Sequence, residues 1–284
     1  MIKLGLLGNN ISKSEMPNLI TKLGNEFGFE IKYKLFDQAS KTNFNFKKFL
    51  SQIKEKNISG INVTYPFKEL AIEHSIKLSE ETKLLKSTNL LLINESMTSH
   101  NTDYSGFLNT YKFNFNKKPS KLVILGGGGV GKSVCFALIK LGVKELYIIE
   151  KDQSKLKKLI KNLKKQHEQV YSIKLDELIE NQHEFDGFLN CSEQGHINTP
   201  GNPFEGLRLN NNQWSFDAVY TPAMTTFLKN SKKSGAKIIT GIDLFLFQGI
   251  EAFIIFIEQE KLRKKIMSNY DKIREYYFKK LITR

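Results

Sequence analysis

The chain has few of the residues that build disulfide frameworks and metal sites. Its 284 residues include two cysteines, Cys135 and Cys191, and five scattered histidines without ligand spacing. Two cysteines do not make a disulfide framework, and no Cys or His pattern indicates a bound metal. We therefore expect a reduced, cytoplasmic protein without a metal. Cys135 is expected on the helix that follows the glycine-rich segment, with its side chain in the protein core.

Long apolar runs are also missing. The N-terminal segment MIKLGLLGN is too short for a signal peptide and is typical of a first strand. The most apolar late segment, residues 244–257, is interrupted by Gln248, Gly249 and Glu251. This interruption predicts a buried helix rather than a membrane span, and we expect no membrane partner.

Acidic residues are outnumbered by basic ones. The formal net charge is +14, from 43 Lys and Arg against 29 Asp and Glu. Such an excess is found in nucleic-acid-binding proteins. The lysines, however, are spread along the whole chain, and the densest clusters, 155–165 and 261–265, are typical of solvated helix faces. We predict no nucleic-acid partner, and expect the charge to favour the approach of an anionic small molecule.

The octapeptide GGGGVGKS directly follows the apolar run LVIL and matches two phosphate-binding motifs. Gly126, Gly128 and Gly131 fit G-x-G-x-x-G, the dinucleotide fingerprint. The same segment fits the P-loop G-x-x-x-x-G-K-S through Lys132 and Ser133. Both motifs place a strand, a glycine turn and a helix in that order, and both hold phosphate with backbone N–H groups at the helix start. Phosphate binding is predicted, with two cofactor classes open.

The next predicted strand favours the dinucleotide. It ends at Glu150, 19 residues after Gly131, where dinucleotide-binding folds place the acidic residue that bonds the adenosine ribose. A P-loop protein needs a magnesium-binding Asp at a strand end. Asp186 and Asp217 stand before apolar residues instead, so neither is a persuasive candidate.

Apolar spacing predicts two α/β domains. Strand and helix patterns alternate over the first hundred residues: strands at 2–7, 31–35, 61–63 and 90–93, and helices after Pro17 and over 46–53. The alternation resumes at residue 122 and predicts a doubly wound sheet. Residues 114–121 are a candidate linker. We predict one domain from 1–105 with 241–284, which binds the substrate, and a dinucleotide-binding domain over 106–240.

Three polar clusters follow strand-like segments of the first domain. They are Ser12-Lys13-Ser14, the segment NVTYPFK with Thr64 and Lys68, and HNTD with Asp103. In open α/β sheets ligands bind beyond the carboxyl ends of strands, so these clusters predict one pocket. Simpler interpretations stay open at this point: Ser14 caps the next helix, Asp103 caps the helix at Tyr104, and Lys68 is a solvated surface lysine.

Taken together, the motifs identify a family. The chain resembles the shikimate dehydrogenases, including the quinate/shikimate branch, over nearly its whole length. GINVTYPFKE is similar to the family motif N-V-T-x-P-x-K, HNTDYSGF to N-T-D-x-x-G-F, and FDAVYTPAMTTFL to D-x-V-Y-x-P-x-x-T-x-L. GGGGVGKS stands in place of G-A-G-G-x-G-R-A, and GIDLFLFQGIEAF resembles the closing G-x-x-M-L-x-x-Q-G segment. The resemblance implies a Rossmann-type dinucleotide domain and argues against the P-loop.

The resemblance also implies an activity and its residues. It implies reversible NAD- or NADP-dependent reduction of 3-dehydroshikimate to shikimate, a step of chorismate and aromatic amino acid biosynthesis, in a monomer or homodimer; a quinate/shikimate dehydrogenase using NAD is the alternative. Lys68 and Asp103 would be catalytic. Substrate binding would use Ser14, Thr64, Asn89, Asp103, Tyr220 and Gln248. Cofactor binding would use Gly126, Gly128, Gly129, Gly131, Glu150, Lys151, Asn190 and Gly241.

Some positions depart from the family pattern. Met16 replaces a serine or threonine that helps to bind the substrate carboxylate, and Lys13 replaces a histidine. Glu150-Lys151-Asp152 stands where NADP enzymes have Asn-Arg-Thr. A carboxylate accepts hydrogen bonds from a ribose 2′-OH but repels a 2′-phosphate, so NAD is favoured over NADP. A non-catalytic metabolite-binding protein is a further possibility, against which the intact Lys68 and Asp103 argue.

Overall fold

The computed structural model describes residues 1–39 and 44–282 of the chain. Contacts within the chain divide it into two units. The first comprises Met1–Ser105 and Leu246–Ser268, and the second comprises Gly106–Phe245 and Asn269–Arg284. Each unit is an α/β structure with its own six-stranded sheet, as predicted.

The first unit contains a mixed sheet. Its elements are β1 (Ile2–Gly8), α1 (Met16–Glu26), β2 (Ile31–Asp37), α2 (Phe46–Glu55), β3 (Gly60–Val63), α3 (Lys68–Glu73), β4 (Lys77–Leu78), α4 (Glu80–Leu85), β5 (Leu90–Ile93) and β6 (Met97–His100). The strand order is β2-β1-β3-β5-β6-β4. β1 runs parallel to β2 and β3, whereas β5 runs antiparallel to both β3 and β6.

Amphipathic spacing explains the helices that cover this sheet. In α2, the predicted apolar positions Phe46, Phe49 and Ile53 are all buried against residues of β3 and β5. Asn45 caps this helix, because its side chain accepts the Lys48 N–H. The predicted strands and helices of the unit are confirmed, while the two-residue β4 is too short to carry a readable pattern.

The second unit contains an all-parallel sheet. After α5 (Thr102–Asn114), its elements are β7 (Lys121–Leu125), α6 (Gly129–Lys140), β8 (Glu145–Ile149), α7 (Gln153–Leu163), β9 (Val170–Ser172), α8 (Leu175–Glu180), β10 (Gly187–Asn190), β11 (Trp214–Asp217), α9 (Thr226–Lys233) and β12 (Lys237–Ile239). The order β12-β11-β10-β7-β8-β9 is the doubly wound order of a Rossmann sheet, and it reverses between β7 and β10. Cys135 is fully buried in α6, as predicted.

Three helices end the chain: α10 (Gly241–Ile257), α11 (Leu262–Ser268) and α12 (Tyr270–Ile282). The predicted boundaries grouped all of 241–284 with the first domain, whereas the contacts group 241–245 and 269–284 with the second unit. The physical reason is a buried cluster, in which Asp243 accepts the Tyr270 hydroxyl at 2.9 Å and the Arg274 Nε at 2.6 Å.

Residues 114–121 do not separate the two units. They connect α5 to β7 within the second unit, and the division of the chain falls at Ser105 instead. Phe115 anchors this polar stretch to the second unit, because its ring centroid lies 5.0 Å from that of Trp214. The predicted linker at this position is therefore wrong.

No helix within residues 1–39 and 44–282 is long and apolar enough to cross a membrane. Over the same residues, no three His, Cys, Asp or Glu side chains cluster in a way that would hold a metal ion.

Candidate active site

The sheet of the first unit brings the predicted polar loops to one edge. The ends of β1 and β3 are adjacent, because Leu7 pairs with Val63 in parallel register. β5 runs in the opposite direction, so its first residue, Leu90, lies beside the end of β3 and pairs with His100 at the end of β6. The loops after β1, β3 and β6 and the residue before β5 therefore share one edge, as the strand pattern predicted.

Lys68 is presented by a tight turn after β3. The Phe67 N–H bonds the Thr64 carbonyl at 2.9 Å, and the Phe67 ring is buried in the core below the turn. Lys68 is the first residue of α3, and its Nζ lies 2.5 Å from the Asp103 Oδ2. The side chains of Lys68 and Asp103 are 14% and 3% exposed. The interpretation of Lys68 as a solvated surface lysine is therefore wrong.

Asp103 is the second residue of α5 and does not cap it. The cap is Asn101, whose Oδ1 accepts the Tyr104 N–H at 3.2 Å. The Asn101 Nδ2 donates to the Ser87 carbonyl at 3.0 Å, which ties the start of α5 to the segment before β5. Because Asn101 satisfies the helix end, the Asp103 carboxylate is left to bond Lys68.

Asn89 and Gln248 meet beside this pair. The Asn89 Oδ1 accepts the Thr102 N–H at 2.7 Å, and its Nδ2 lies 3.0 Å from the Thr102 Oγ1 and 3.5 Å from the Gln248 Oε1. Gln248 is held by the packing of α10 on α1, since a Cβ placed on the next residue, Gly249, would lie 2.3 Å from a methyl of Leu19. Thr102 was not predicted, although it stands in the quoted HNTD motif.

Ser14 and Thr64 follow the adjacent ends of β1 and β3. The Ser14 Oγ accepts the Met16 N–H at 3.3 Å, so this hydroxyl bonds the first residue of α1. The Thr64 methyl lies against Gly8, where an added Cβ would come within 2.3 Å of it. Met16, which departs from the family pattern, is buried, and its Sδ would lie 3.5 Å from a Cβ on Gly249. Its side chain therefore packs between α1 and α10.

Asp37, at the end of β2, holds the Ser14 loop and was missed in the sequence. Its two carboxylate oxygens accept the N–H groups of Asn10 and Ile11, each at 3.0 Å. The Ala39 N–H is the largest cause that lowers the pKa of Asp37, and those of Ile11 and Asn10 add to it. An acidic residue two positions after the predicted strand was the available signal.

The second unit carries the glycine turn between β7 and α6. Gly126 has a φ of +102°, in the region that favours glycine. A Cβ on Gly131 would lie 1.8 Å from the Gly126 carbonyl oxygen, so the third glycine of the motif has no room for a side chain. A Cβ on Gly128 would meet no atom of the described chain within 4 Å, which leaves this backbone open to a close approach.

Glu150 contacts the same turn. Its Oε2 accepts the Gly127 N–H at 2.7 Å, and its Oε1 accepts the Asp152 N–H at 3.0 Å. The neighbouring Lys151 is exposed, while Gly129 is the first residue of α6. The predicted acidic residue and the glycines therefore form one cluster at the carboxyl edge of β7 and β8.

The chain is similar in sequence to several known proteins. Residues 6–91 match the family model described as the shikimate dehydrogenase substrate binding domain. The chain is 26% identical to the quinate/shikimate dehydrogenase (NAD(+)) of Corynebacterium efficiens over 94% of this chain and 98% of that protein. It is 29% identical to the shikimate dehydrogenase (NADP(+)) of Clostridium botulinum, over 89% of this chain and 95% of the relative.

A solved structure extends this match to three dimensions. The quinate dehydrogenase of Corynebacterium glutamicum in complex with NAD superimposes with a TM-score of 0.84 at 27% identity, covering 94% of this chain and 99% of that one. The sequence and the fold of the chain are both similar to those of shikimate and quinate dehydrogenases.

Similarity to the shikimate dehydrogenases agrees with the geometry of the glycine turn, which does not fit a P-loop. In a P-loop the serine hydroxyl binds magnesium. Here Ser133 is fully buried and its Oγ donates to the Gly129 carbonyl at 3.0 Å. A P-loop protein also needs a magnesium-binding aspartate. Asp217, one of the two aspartates considered for that role, is buried and hydrogen-bonded to Asn190, Val219 and Thr225.

The remaining family positions lie in the second unit. Asn190 ends β10, next to β7. Tyr220 stacks on Phe245, with ring centroids 4.9 Å apart. Gly241 begins α10, where a Cβ would lie 2.6 Å from the Val219 carbonyl oxygen, so tight packing explains this glycine. Roles for these residues toward a ligand stay predictions.

Proposed function

We propose that this protein is a nicotinamide-dependent oxidoreductase that interconverts 3-dehydroshikimate and shikimate. The observation that carries the proposal is the Lys68–Asp103 pair, an ammonium and a carboxylate 2.5 Å apart at the carboxyl edge of the first sheet. The match of residues 6–91 to the shikimate dehydrogenase substrate binding domain and the names of the relatives support it.

Lys68 is suited to the proton transfer of this reaction. Reducing a ketone places negative charge on its oxygen, and an adjacent ammonium stabilises that charge and supplies the proton. In the oxidative direction the amine takes the proton back. Asp103 holds the Lys68 Nζ in one orientation, and we expect its carboxylate also to accept a hydrogen bond from the neighbouring substrate hydroxyl. Both groups are largely buried, which strengthens these interactions.

The second unit fits a dinucleotide. When bound, NAD or NADP supplies or accepts the hydride. Gly126 and Gly131 make the tight turn, and the open backbone at Gly128 admits a pyrophosphate at the start of α6. We expect Gly129, at the first position of α6, to contribute its N–H group, and Asn190 to face the same ligand from the end of β10.

We infer a preference for NAD over NADP from Glu150. Two backbone N–H groups, those of Gly127 and Asp152, hold its carboxylate at the glycine turn. A ribose 2′-OH would donate to this carboxylate, whereas a 2′-phosphate would be repelled by it. The exposed Lys151 weakens that repulsion without an arginine fork, so we expect NADP to remain a poorer cofactor rather than to be excluded.

We propose that the ring acid is held by residues of the first edge. Ser14 and Thr64 would bind its carboxylate, and Asn89, Asp103 and Gln248 its hydroxyls. Shikimate is the main substrate in this proposal. Quinate is the alternative, because Met16 occupies a position where the family usually has a hydroxyl.

A direct assay tests the proposal. The purified protein is incubated with shikimate or quinate, each with NAD and with NADP, and reduced nicotinamide is followed by absorbance. We expect shikimate oxidation, faster with NAD, and loss of turnover in Lys68→Ala. An exposed-lysine variant, Lys83→Ala, serves as the matched control. Absence of turnover with both acids would contradict the proposal, and ATP hydrolysis without nicotinamide turnover would favour a nucleotide triphosphatase. A cytoplasmic location and a monomeric or homodimeric state stay predictions.

A further inference from the structure

Asp217 is a fully buried carboxylate at the end of β11, directly beside Asn190 at the end of β10. Its Oδ1 accepts the Asn190 Nδ2 at 2.9 Å and the Val219 N–H at 3.0 Å. Its Oδ2 accepts the Thr225 hydroxyl at 2.7 Å. The carboxylate therefore fixes the Asn190 amide from one side with both of its oxygens engaged.

Asn190 passes this constraint to the loop that follows β10. Its Oδ1 accepts both the N–H of Ser192 at 3.0 Å and the Ser192 hydroxyl at 2.7 Å. Its Nδ2 donates to the Gln194 carbonyl at 2.9 Å in addition to Asp217. Residues 190–194 are thus folded around one amide, whose orientation Asp217 determines.

This loop packs directly on the glycine turn. A Cβ placed on Gly126 would lie 2.8 Å from the Cys191 carbonyl carbon and from the Ser192 nitrogen. β7 and β10 are neighbours, and the strand order reverses between them. In doubly wound sheets the ligand binds at that reversal, beyond the carboxyl ends of the strands. The loop is therefore one wall of the position where a dinucleotide would lie.

We propose that Asp217 is a positioning residue for the dinucleotide, which acts by holding Asn190 and through it the 190–194 loop against the Gly126 turn. The inference rests on the proposed function, because it needs a dinucleotide at this edge. A buried carboxylate is costly and is strongly destabilising when it loses a partner. Of its donors, Asn190 begins the loop, and the Thr225 side chain would lie 3.6 Å from a Cβ on Gly195, directly after the loop.

The test compares dinucleotide binding by folded variants. Dissociation constants of NAD and NADH are measured by titration calorimetry and fluorescence for wild type, Asp217→Ala, Asp217→Asn and Ser215→Ala, with thermal melts as the folding check. Ser215 is buried on the same strand, two residues earlier, and is the matched control. Kinetics with varied shikimate complete the set.

We expect Asp217→Ala to weaken dinucleotide binding roughly tenfold or more, as for a lost hydrogen bond to a charged group, with the shikimate KM changed about threefold or less. Asp217→Asn should recover most of the affinity, since its amide oxygen can still accept from Asn190 and Val219 and its NH₂ can donate to Thr225. Ser215→Ala should bind as wild type does. If Asp217→Ala does not fold, Thr225→Val removes the contact on the far side of the carboxylate and should weaken binding several-fold.

Wild-type affinity in folded Asp217→Ala, or in Thr225→Val where the alanine variant is unfolded, would overturn the inference and leave the proposed function intact. A wild-type protein that binds neither NAD nor NADP would overturn both. Lower thermal stability with unchanged dinucleotide affinity would show that Asp217 serves the fold alone, which also overturns the inference.

Discussion

Asn89 and Thr102 are joined by hydrogen bonds, in which the Asn89 Oδ1 accepts the Thr102 N–H at 2.7 Å and the Thr102 hydroxyl at 3.3 Å, and the Asn89 Nδ2 lies 3.0 Å from the Thr102 Oγ1. Both residues are almost completely buried. Thr102 is the first residue of α5 and immediately precedes Asp103. The side chain of Asn89 therefore sets where the helix that carries Asp103 begins.

Replacing Asn89 is expected to reduce both stability and activity. Asn89→Ala leaves the buried Thr102 N–H without its acceptor, which costs about 1–3 kcal/mol of unfolding free energy. The displaced start of α5 moves Asp103, so kcat should fall as well. Denaturant unfolding and steady-state kinetics measure the two effects. Asn116→Ala, at an exposed asparagine in the loop before β7, is the control and should change neither.

Loss of the Lys68 ammonium is expected to affect turnover more than binding. Lys68→Ala should lower kcat by roughly 10²–10⁴-fold, the contribution of a general acid–base group, with a smaller change in the shikimate KM. Asp103→Asn should also reduce kcat strongly, because the amide no longer pairs with the ammonium. Steady-state rates at saturating NAD provide the measurement, and near-wild-type turnover in Lys68→Ala would refute the assignment.

Glu150 is expected to determine the cofactor preference. Glu150→Ala removes the repulsion of a 2′-phosphate and the acceptor for a ribose hydroxyl, so the ratio of kcat/KM for NAD to that for NADP should fall by about tenfold or more. Lys151→Ala, at the exposed neighbour of Glu150, removes a cation that weakens the repulsion of a 2′-phosphate. This substitution should therefore shift the ratio toward NAD. A wild-type preference for NADP that persists unchanged in Glu150→Ala would show that this residue does not discriminate.

The titration of Asp217 predicts a pH dependence of stability. Burial is the main cause that raises its pKa from 3.8 to about 7. The folded protein therefore binds the Asp217 carboxyl proton more tightly than the unfolded chain does. The stability that this proton contributes is fully present below about pH 4 and is lost as the pH rises through about 7. Between about pH 5 and pH 8, wild type should lose about 2–3 kcal/mol of unfolding free energy relative to Asp217→Asn. Urea unfolding of both proteins at each pH measures this difference, and parallel pH profiles would contradict it.

Lys86 offers a stabilising substitution. It ends α4 with a φ of +49°, a left-handed conformation that is unfavourable for a residue with a Cβ. Lys86→Gly should raise the unfolding free energy by roughly 0.5–1 kcal/mol, the relief of strain exceeding the greater entropy of the unfolded glycine chain. Lys86→Ala, which removes the charge but keeps the Cβ, should leave the midpoint of urea unfolding nearly unchanged.

The sequence by itself determined the elements and the residue types of the candidate site. Period-2 and period-3.6 patterns located the strands and helices, because burial on one face leaves a local signature. The glycine spacing and Glu150 indicated a dinucleotide turn, since a close backbone approach leaves no room for side chains. The short β4 and the division of the C-terminal helices between the two units were not predicted, because neither a two-residue strand nor a division within a helix leaves a periodic signal.

The tertiary structure decided which polar groups meet. Lys68 and Asp103 are 35 residues apart, and only the pairing of β3, β5 and β6 brings their loops to one edge. The same holds for Asn101, which donates to the Ser87 carbonyl, and for Asp217, whose partner Asn190 comes from the neighbouring strand. Apolar periodicity reports which face of an element is buried, but a hydrogen bond between distant side chains depends on strand order and register, which local sequence does not encode.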